Sequence, residues 1–240
     1  MAILIGTAGW SLPRAEQQHF SVGGSHLERY ASQFSVAEIN SSFHRSHRAA
    51  TWTRWRESVP ESFRFSVKMP KFITHTRALK DVEALITAFL DQVSVLENRL
   101  GAFLLQLPPK LVFDSALADD FFADLRGRTV LPIACEPRHE SWFAESADRL
   151  LQAHEIARVA ADPARVPAAW VPAGWRGFSY YRLHGSPKIY YSAYADDFIA
   201  ALAERATNDA TANRDVWVIF DNTTLGAATR NALQLREGLA

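Results

Sequence analysis

Cysteine is almost absent. The single residue Cys135 in 240 excludes an intramolecular disulfide and any Cys-rich metal site. It stands in the apolar run LPIACEPR and reads as a small buried hydrophobe in a strand. An excess of one charge is also missing. Lys and Arg total 26 and Asp and Glu total 26, so no global field draws the chain to nucleic acid or to an anionic membrane. No run approaches the ~20 apolar residues of a membrane span. The first apolar run, AILIGTAGW, lacks a basic stretch before it and reads as a strand, not a signal peptide. These absences lead us to expect a cytoplasmic protein without membrane contact. GxGxxG, P-loop, nucleophile-elbow and HExxH signatures are missing too, so no cofactor is expected from motif. No Pro/Ser/Gly linker divides the chain, which predicts one domain over residues 1–240.

What is present is alternation. Eight strand-like runs occur at Ile3–Thr7, Val36–Asn40, Phe63–Lys68, Ala102–Leu107, Pro132–Glu136, Ala157–Asp162, Phe178–His184 and Val216–Phe220. Helical spacing appears between most of them. The clearest case is Asp81–Leu100, with Val82, Leu85, Ile86, Phe89, Val93, Leu96 and Leu100 on one stripe. Strands alternating with helices predict a parallel sheet. Eight of them, in a chain close to the ~250 residues such a fold takes, predict a (β/α)8 TIM-type barrel. The connection PARVPAAWVPAGWRG, between the sixth and seventh runs, should lack a full helix. Trp170 and Trp175 are expected to pack outside the barrel there.

Many of these runs end in ionisable or polar groups. Carboxyl ends of barrel strands carry the active site in this architecture. They offer Thr7 and Trp10, Glu38 and Asn40, Ser66 and Lys68, Gln106, Glu136 and Arg138, Asp162, Arg182 and His184, then Asp221 and Asn222. Side chains alternate across a strand, so Glu38 and Asn40 oppose Ala37 and Ile39, and Ser66 and Lys68 oppose Phe65 and Val67. The polar set should enter the mouth, since facing the helices unpaired would cost several kcal/mol each. Asp221 and Asn222 cannot both face inward. One reading is a structural ring of salt bridges. The other is a ligand site in which Lys68, Arg138 and Arg182 hold a carboxylate or phosphate. Glu136 or Glu38 would then be a general base, His184 a general acid or its partner, and Asp162 a further catalytic carboxylate. His75 could close over the mouth. In the loop GSPK, Gly185 could present its amide to phosphate or simply form a turn.

Two rival readings remain. Glu38, Glu136, Asp162, His184 and Asp221 could ligate a divalent metal, although the interleaved cations would repel it. We therefore expect no metal. Phe43, Arg45, Arg48, Trp52, Arg54, Trp55 and Arg56 mix rings with positive charge, as single-strand nucleic-acid binders do. Packing of Trp52 and Trp55 on the barrel is the stronger reading, so nucleic acid is disfavoured without being excluded.

The stretches IGTAGWS, VAEINSSFHR, TWTRW, FRFSVKMPKFITH, LLQLPP, ACEPRHESW and YYRLHGSP, in this order, resemble the YecE-like family, a domain of unknown function numbered seventy-two. The resemblance runs from Ile5 to about Asn231 and implies a TIM-type barrel. It supplies no reaction. Its motifs contain most of the strand-end residues above, together with Gly6, Gly9, Ser42, Phe43, Arg45 and Trp142. His44 stands where the family usually has Tyr, and Asp221 where it has Asn. The functional expectation is a metal-independent enzyme acting on a small anionic substrate. A metal-dependent hydrolase or isomerase, and a non-catalytic binding barrel, are the alternatives.

Overall fold

A computed structural model of the chain describes residues 3–239. Among the described residues ten strands occur: β1 (Ile3–Ala8), β2 (Val36–Ile39), β3 (Arg64–Lys68), β4 (Leu100–Gln106), β5 (Ile133–Glu136), β6 (Ile156–Arg158), β7 (Ala160–Asp162), β8 (Ala173–Gly174), β9 (Phe178–Leu183) and β10 (Asp215–Phe220). Seven α-helices are interspersed: α1 (His26–Ala31), α2 (Ala49–Glu57), α3 (Glu83–Val93), α4 (Ser115–Arg128), α5 (Glu145–Ala153), α6 (Asp196–Thr211) and α7 (Ala227–Gly238). The strands form one mixed sheet in the order β7-β9-β10-β1-β2-β3-β4-β5-β6-β8. All its pairs are parallel except the two-residue contact of β6 with β8.

The sixth expected strand splits at Val159. Its first half pairs with β5 and its second half with β9. The two ends of the sheet thereby approach each other, and the result is a nearly closed, barrel-like α/β fold. The connection after β7 holds only a 3-10 turn, Pro167–Trp170, and the short β8, as its Pro and Gly content predicts. Trp170 packs outside, 5.4 Å from Phe198 and 6.1 Å from Tyr181. Trp175 does not. It joins the interior cluster around Phe178, Tyr180 and Trp217. The long helix expected over 81–100 stops at Val93 and tightens to a 3-10 segment, where Glu97 turns to φ 51°.

Alternation separates two apolar layers. Ile5, Ala37, Ile39, Phe65, Val67, Phe103, Leu105 and Val218 face the helices. Val36, Ala102, Leu104, Ala134, Ala157, Tyr180, Trp217 and Ile219 fill the interior. Capping sets the short helices. Ser25 and Glu28 close a capping box on α1, and Asp114 accepts from the Ala116 and Leu117 amides of α4. Among the described residues no helix is long and apolar enough to cross a membrane.

One side chain stitches β1 to β2. The buried Tyr30 hydroxyl accepts from the Thr7 amide at 2.7 Å and donates to the Val36 carbonyl at 2.9 Å. Gly6 makes the insertion possible, since a Cβ there would lie 1.9 Å from the Val36 oxygen. Removing the hydroxyl strands a buried donor and a buried acceptor. Tyr30→Phe should therefore cost about 2–4 kcal/mol in urea unfolding with an unchanged m value. A loss under about 0.5 kcal/mol would contradict the latch.

Candidate functional site

Parity decides what reaches the carboxyl ends of the sheet. On β2, β3, β5 and β9 the interior face ends in Glu38, Lys68, Glu136 and Arg182, and β10 adds Asp221 beyond Ile219. Glu38, Glu136, Arg182, His184, Asp221 and Lys68 are all buried. Arg182 is the hub. Its Nε lies 3.0 Å and its Nη2 2.7 Å from the two oxygens of Glu38. Nη1 reaches Glu136 at 3.2 Å, and Nη2 also reaches Asp221 at 2.9 Å. Burial opposes the Arg182 charge, but Asp221, Glu38 and Glu136 outweigh it and hold the guanidinium protonated.

His184 bridges two of the same carboxylates. Nε2 is 2.9 Å from Glu136 and Nδ1 is 3.0 Å from Asp221. A ring carrying both protons would donate to both. Burial raises the Glu136 carboxyl, but Arg138, His184 and Arg182 together hold it well below the ordinary range. Asp221 is lowered likewise, with Arg182 and then His184 overcoming burial. Gln106 donates to Glu136 at 3.0 Å, and Asn40 donates to Asp221 at 3.4 Å. Below the ring, the Tyr180 hydroxyl spans the interior to Glu38 at 2.8 Å and Ser66 at 2.9 Å.

Above this ring sit cations with donors to spare. Arg138 spends Nη2 on Glu136 at 2.6 Å, while its Nε is buried without a partner. Lys68 lies 4.4 Å from the face of Phe43. Burial and Arg182 lower its amine to about 8, against partial support from Glu38, Glu136 and Asp221. His75 leans edge-on to the same Phe43 at 5.0 Å and is lowered by burial, then by Lys68, Lys71 and Arg138. A cavity of about 430 Å³ shares Phe43 with Lys68 and adds Arg45 and Lys71. Another of about 360 Å³ is lined by His75, Pro108 and Lys110. The larger cavity between α6 and α7, about 750 Å³, includes none of these groups.

The structure thus brings together Glu38, Asn40, Lys68, His75, Gln106, Glu136, Arg138, Arg182 and His184. It places five expected residues elsewhere. Thr7 faces outward, its amide on Tyr30 and its hydroxyl on the Gly9 carbonyl, because Gly6 and Ala8 take the inward positions. Trp10 packs on Trp55 at 5.1 Å and on the helix-facing Phe65. Asp162 is turned out by parity, since Ala161 points in, and it accepts from the Tyr194 hydroxyl at 2.8 Å. Burial raises its pKa. Gly185, at φ 93°, spends its amide on Tyr194. Asn222 donates to the Ser192 carbonyl and to Asn231, so Asp221 is the member of that pair that faces the mouth. Tyr180 lies outside the expected set, and Phe43 entered it only through the family resemblance and the nucleic-acid reading. Among the described residues no group of three or more His, Cys, Asp or Glu is arranged to hold a metal ion.

The Lys68 shift has a testable sign. Below pH 8 the folded and unfolded states both carry the proton, and the cost of burying it is full. Between the folded value of about 8 and the unfolded value of about 10.4, only the unfolded state keeps it, so stability rises with pH. Lys68→Met should gain about 3 kcal/mol at pH 7 and lose that advantage by about pH 10.5, in urea melts across pH. An unchanged or lowered stability at pH 7 would contradict the buried amine.

Comparison with known proteins follows the same outline. The chain is 33% identical over 173 residues to the UPF0759 protein YecE of Escherichia coli K12, covering 70% of this chain and 61% of that one. It therefore spans under two thirds of that relative's length. It is 24% identical over 266 aligned positions to YunF of Bacillus subtilis, covering 98% and 94%. Among solved structures, a DUF72 family protein of Enterococcus faecalis superposes with TM-score 0.82 at 25% identity, over 99% and 95% of the two chains. A DUF72 family protein of Thermotoga maritima superposes with TM-score 0.83 at 23% identity, over 100% and 99%. The family profile described as "Protein of unknown function DUF72" matches residues 4–240, so the chain belongs to that family.

Proposed function

We propose that this protein is a metal-independent cytoplasmic enzyme that binds a small phosphate- or carboxylate-bearing substrate at the mouth of a TIM-type barrel. Taking β6 and β7 as two halves of one strand supports the eight-stranded barrel, with β8 as an accessory. The observation that carries the reading is the buried, partnerless Nε of Arg138 beside Lys68 and His75. An orphaned cationic donor is costly, and an arriving anion would satisfy it. Arg182 cannot serve in this way, since its donors point at Glu38, Glu136, Asn40 and Asp221. It acts as the positioning residue that fixes the carboxylates.

Proton transfer falls to His184, which sits between Glu136 and Asp221 and touches Arg138 at 3.1 Å. A strongly acidified Glu136 is a poor general base by itself. As the acceptor that orients His184, it fits the role of base partner. A dication on Glu136 and His184 would have to displace the guanidinium of Arg182, which favours the metal-free reading. Trp52 is fully buried and Trp55 packs on Trp10 and Trp52, which disfavours these two rings as a stacking platform for a nucleic acid.

Titration calorimetry of inorganic phosphate into EDTA-treated protein tests the reading. Saturable binding is expected, and Arg138→Gln should weaken it by about tenfold or more, as the loss of a charge-assisted hydrogen bond implies. No saturable binding, or binding that appears only with added divalent metal, would refute it.

A further inference from the structure

We infer that Lys68 is a nucleophile whose Nζ condenses with an aldehyde or ketone carbon of the bound anion, forming an imine while Arg138 holds the anionic group. The inference rests on the anion site just proposed and narrows its substrate to an anion that also carries a carbonyl.

Among the described residues no carboxylate lies within ion-pair distance of Lys68, although Glu38, Glu136 and Asp221 act on it from farther off. Glu38 and Asp221 are engaged by Arg182, and Glu136 by Arg138, Arg182 and His184. What Lys68 meets is the face of Phe43, at 4.4 Å. Lys68 is 7% exposed, so the amine has little water around it. It stands on the end of β3, a rigid platform, and its neighbour Arg182 is a fixed positive charge. The charged groups acting on it are Arg182, Glu38, Glu136 and Asp221, with His75 facing it from the turn after β3. Desolvation and Arg182 prevail over the carboxylates. At a value of about 8, about a tenth of the Lys68 amines are neutral at pH 7, against roughly one in 2,500 for an ordinary lysine. A lysine meant only to hold charge would gain from a carboxylate partner; a desolvated, unpaired amine next to another cation suits attack on carbon. Lys68 and Arg138 both disfavour the charged form of His75, after its burial, so both lie within electrostatic range of that ring, and Lys68 shares with His75 the contact to Phe43.

The step balances without a co-reactant. The nitrogen lone pair forms the N–C bond as the carbonyl π bond opens. The two amine protons and the former carbonyl oxygen leave together as water, and C=N replaces C=O. Nothing is oxidised or reduced. An imine withdraws electrons from the adjacent carbon, so the reaction class would be bond making or breaking at that carbon without metal.

The chain has five lysines: Lys68, Lys71, Lys80, Lys110 and Lys188. The test incubates the intact protein at pH 7 with sodium cyanoborohydride and either glycolaldehyde phosphate or uncharged glycolaldehyde, then maps adducts by peptide mass spectrometry. Lys68 should be labelled at least about tenfold faster than the other four, given its larger neutral fraction. Lys68→Arg should remove that label, and its circular dichroism and urea midpoint report that the variant is folded. Uniform labelling, or Lys68 unmodified by both probes while phosphate still binds, would overturn the inference and leave the anion site standing. Fast labelling of Lys68 by both probes, with no competition from inorganic phosphate, would support the nucleophile and refute the anion site. Wild-type mapping decides the matter even if the variant does not fold.

Discussion

A guanidinium buried at 1% exposure among three carboxylates is the constraint on which the rest of the molecule depends. Removing one member of such a cluster leaves uncompensated charge in the interior, at a cost of about 3–5 kcal/mol. The cluster therefore ties β2, β5, β9 and β10 to one register at their carboxyl ends. It is built on parity: Glu38, Glu136, Arg182 and Asp221 all continue interior-facing rows, and Tyr180 reaches across to Glu38 and Ser66 beneath them. A one-residue slip of any of these strands would send its charge to the helix layer.

The same cluster divides the mouth into two chemical zones. Below, Arg138, His184 and Arg182 keep Glu136 ionised against its burial, and Arg182 with His184 does the same for Asp221. Above, Arg138, Lys68 and His75 are cationic or able to become so, and the acids beneath are already committed. In the proposed reading this asymmetry is what would draw an anion to the rim, although the chain as a whole carries zero net charge. It also makes the structural and functional readings of the ring compatible: the salt bridges engage Arg182 fully, engage Arg138 only through Nη2, and leave Lys68 without an ion-pair partner among the described residues.

The strands and the ring were legible because polar and apolar residues alternate in VAEIN and FRFSVK, so parity could be read directly. Where alternation is absent, the sequence was silent. In VWVIF every position is apolar, and nothing before Trp217 is seen to pack inside says that Asp221, not Asn222, points inward. In ILIGTA and VAAD the inward positions are apolar (Leu4 and Ala8, Val159 and Ala161) and the polar Thr7 and Asp162 face out, to partners on distant helices or loops: Tyr30 and Tyr194. Such partners carry no local signal. Trp10 and Trp175 were misplaced for a related reason, since an aromatic residue near a strand end fits either apolar layer. The bend at Val159, where one strand changes neighbours, depends on barrel closure and has no counterpart in local propensity.

Nitrogen-15 NMR of the lysine side-chain amines across pH tests the central claim most directly, because five resonances can be followed individually. The account predicts that one of them, assigned to Lys68 by its absence in Lys68→Arg, titrates near 8 and moves to higher pH when inorganic phosphate is added. Five amines that all titrate near 10.4, with no response to phosphate, would contradict a desolvated amine at an anion-receptive mouth.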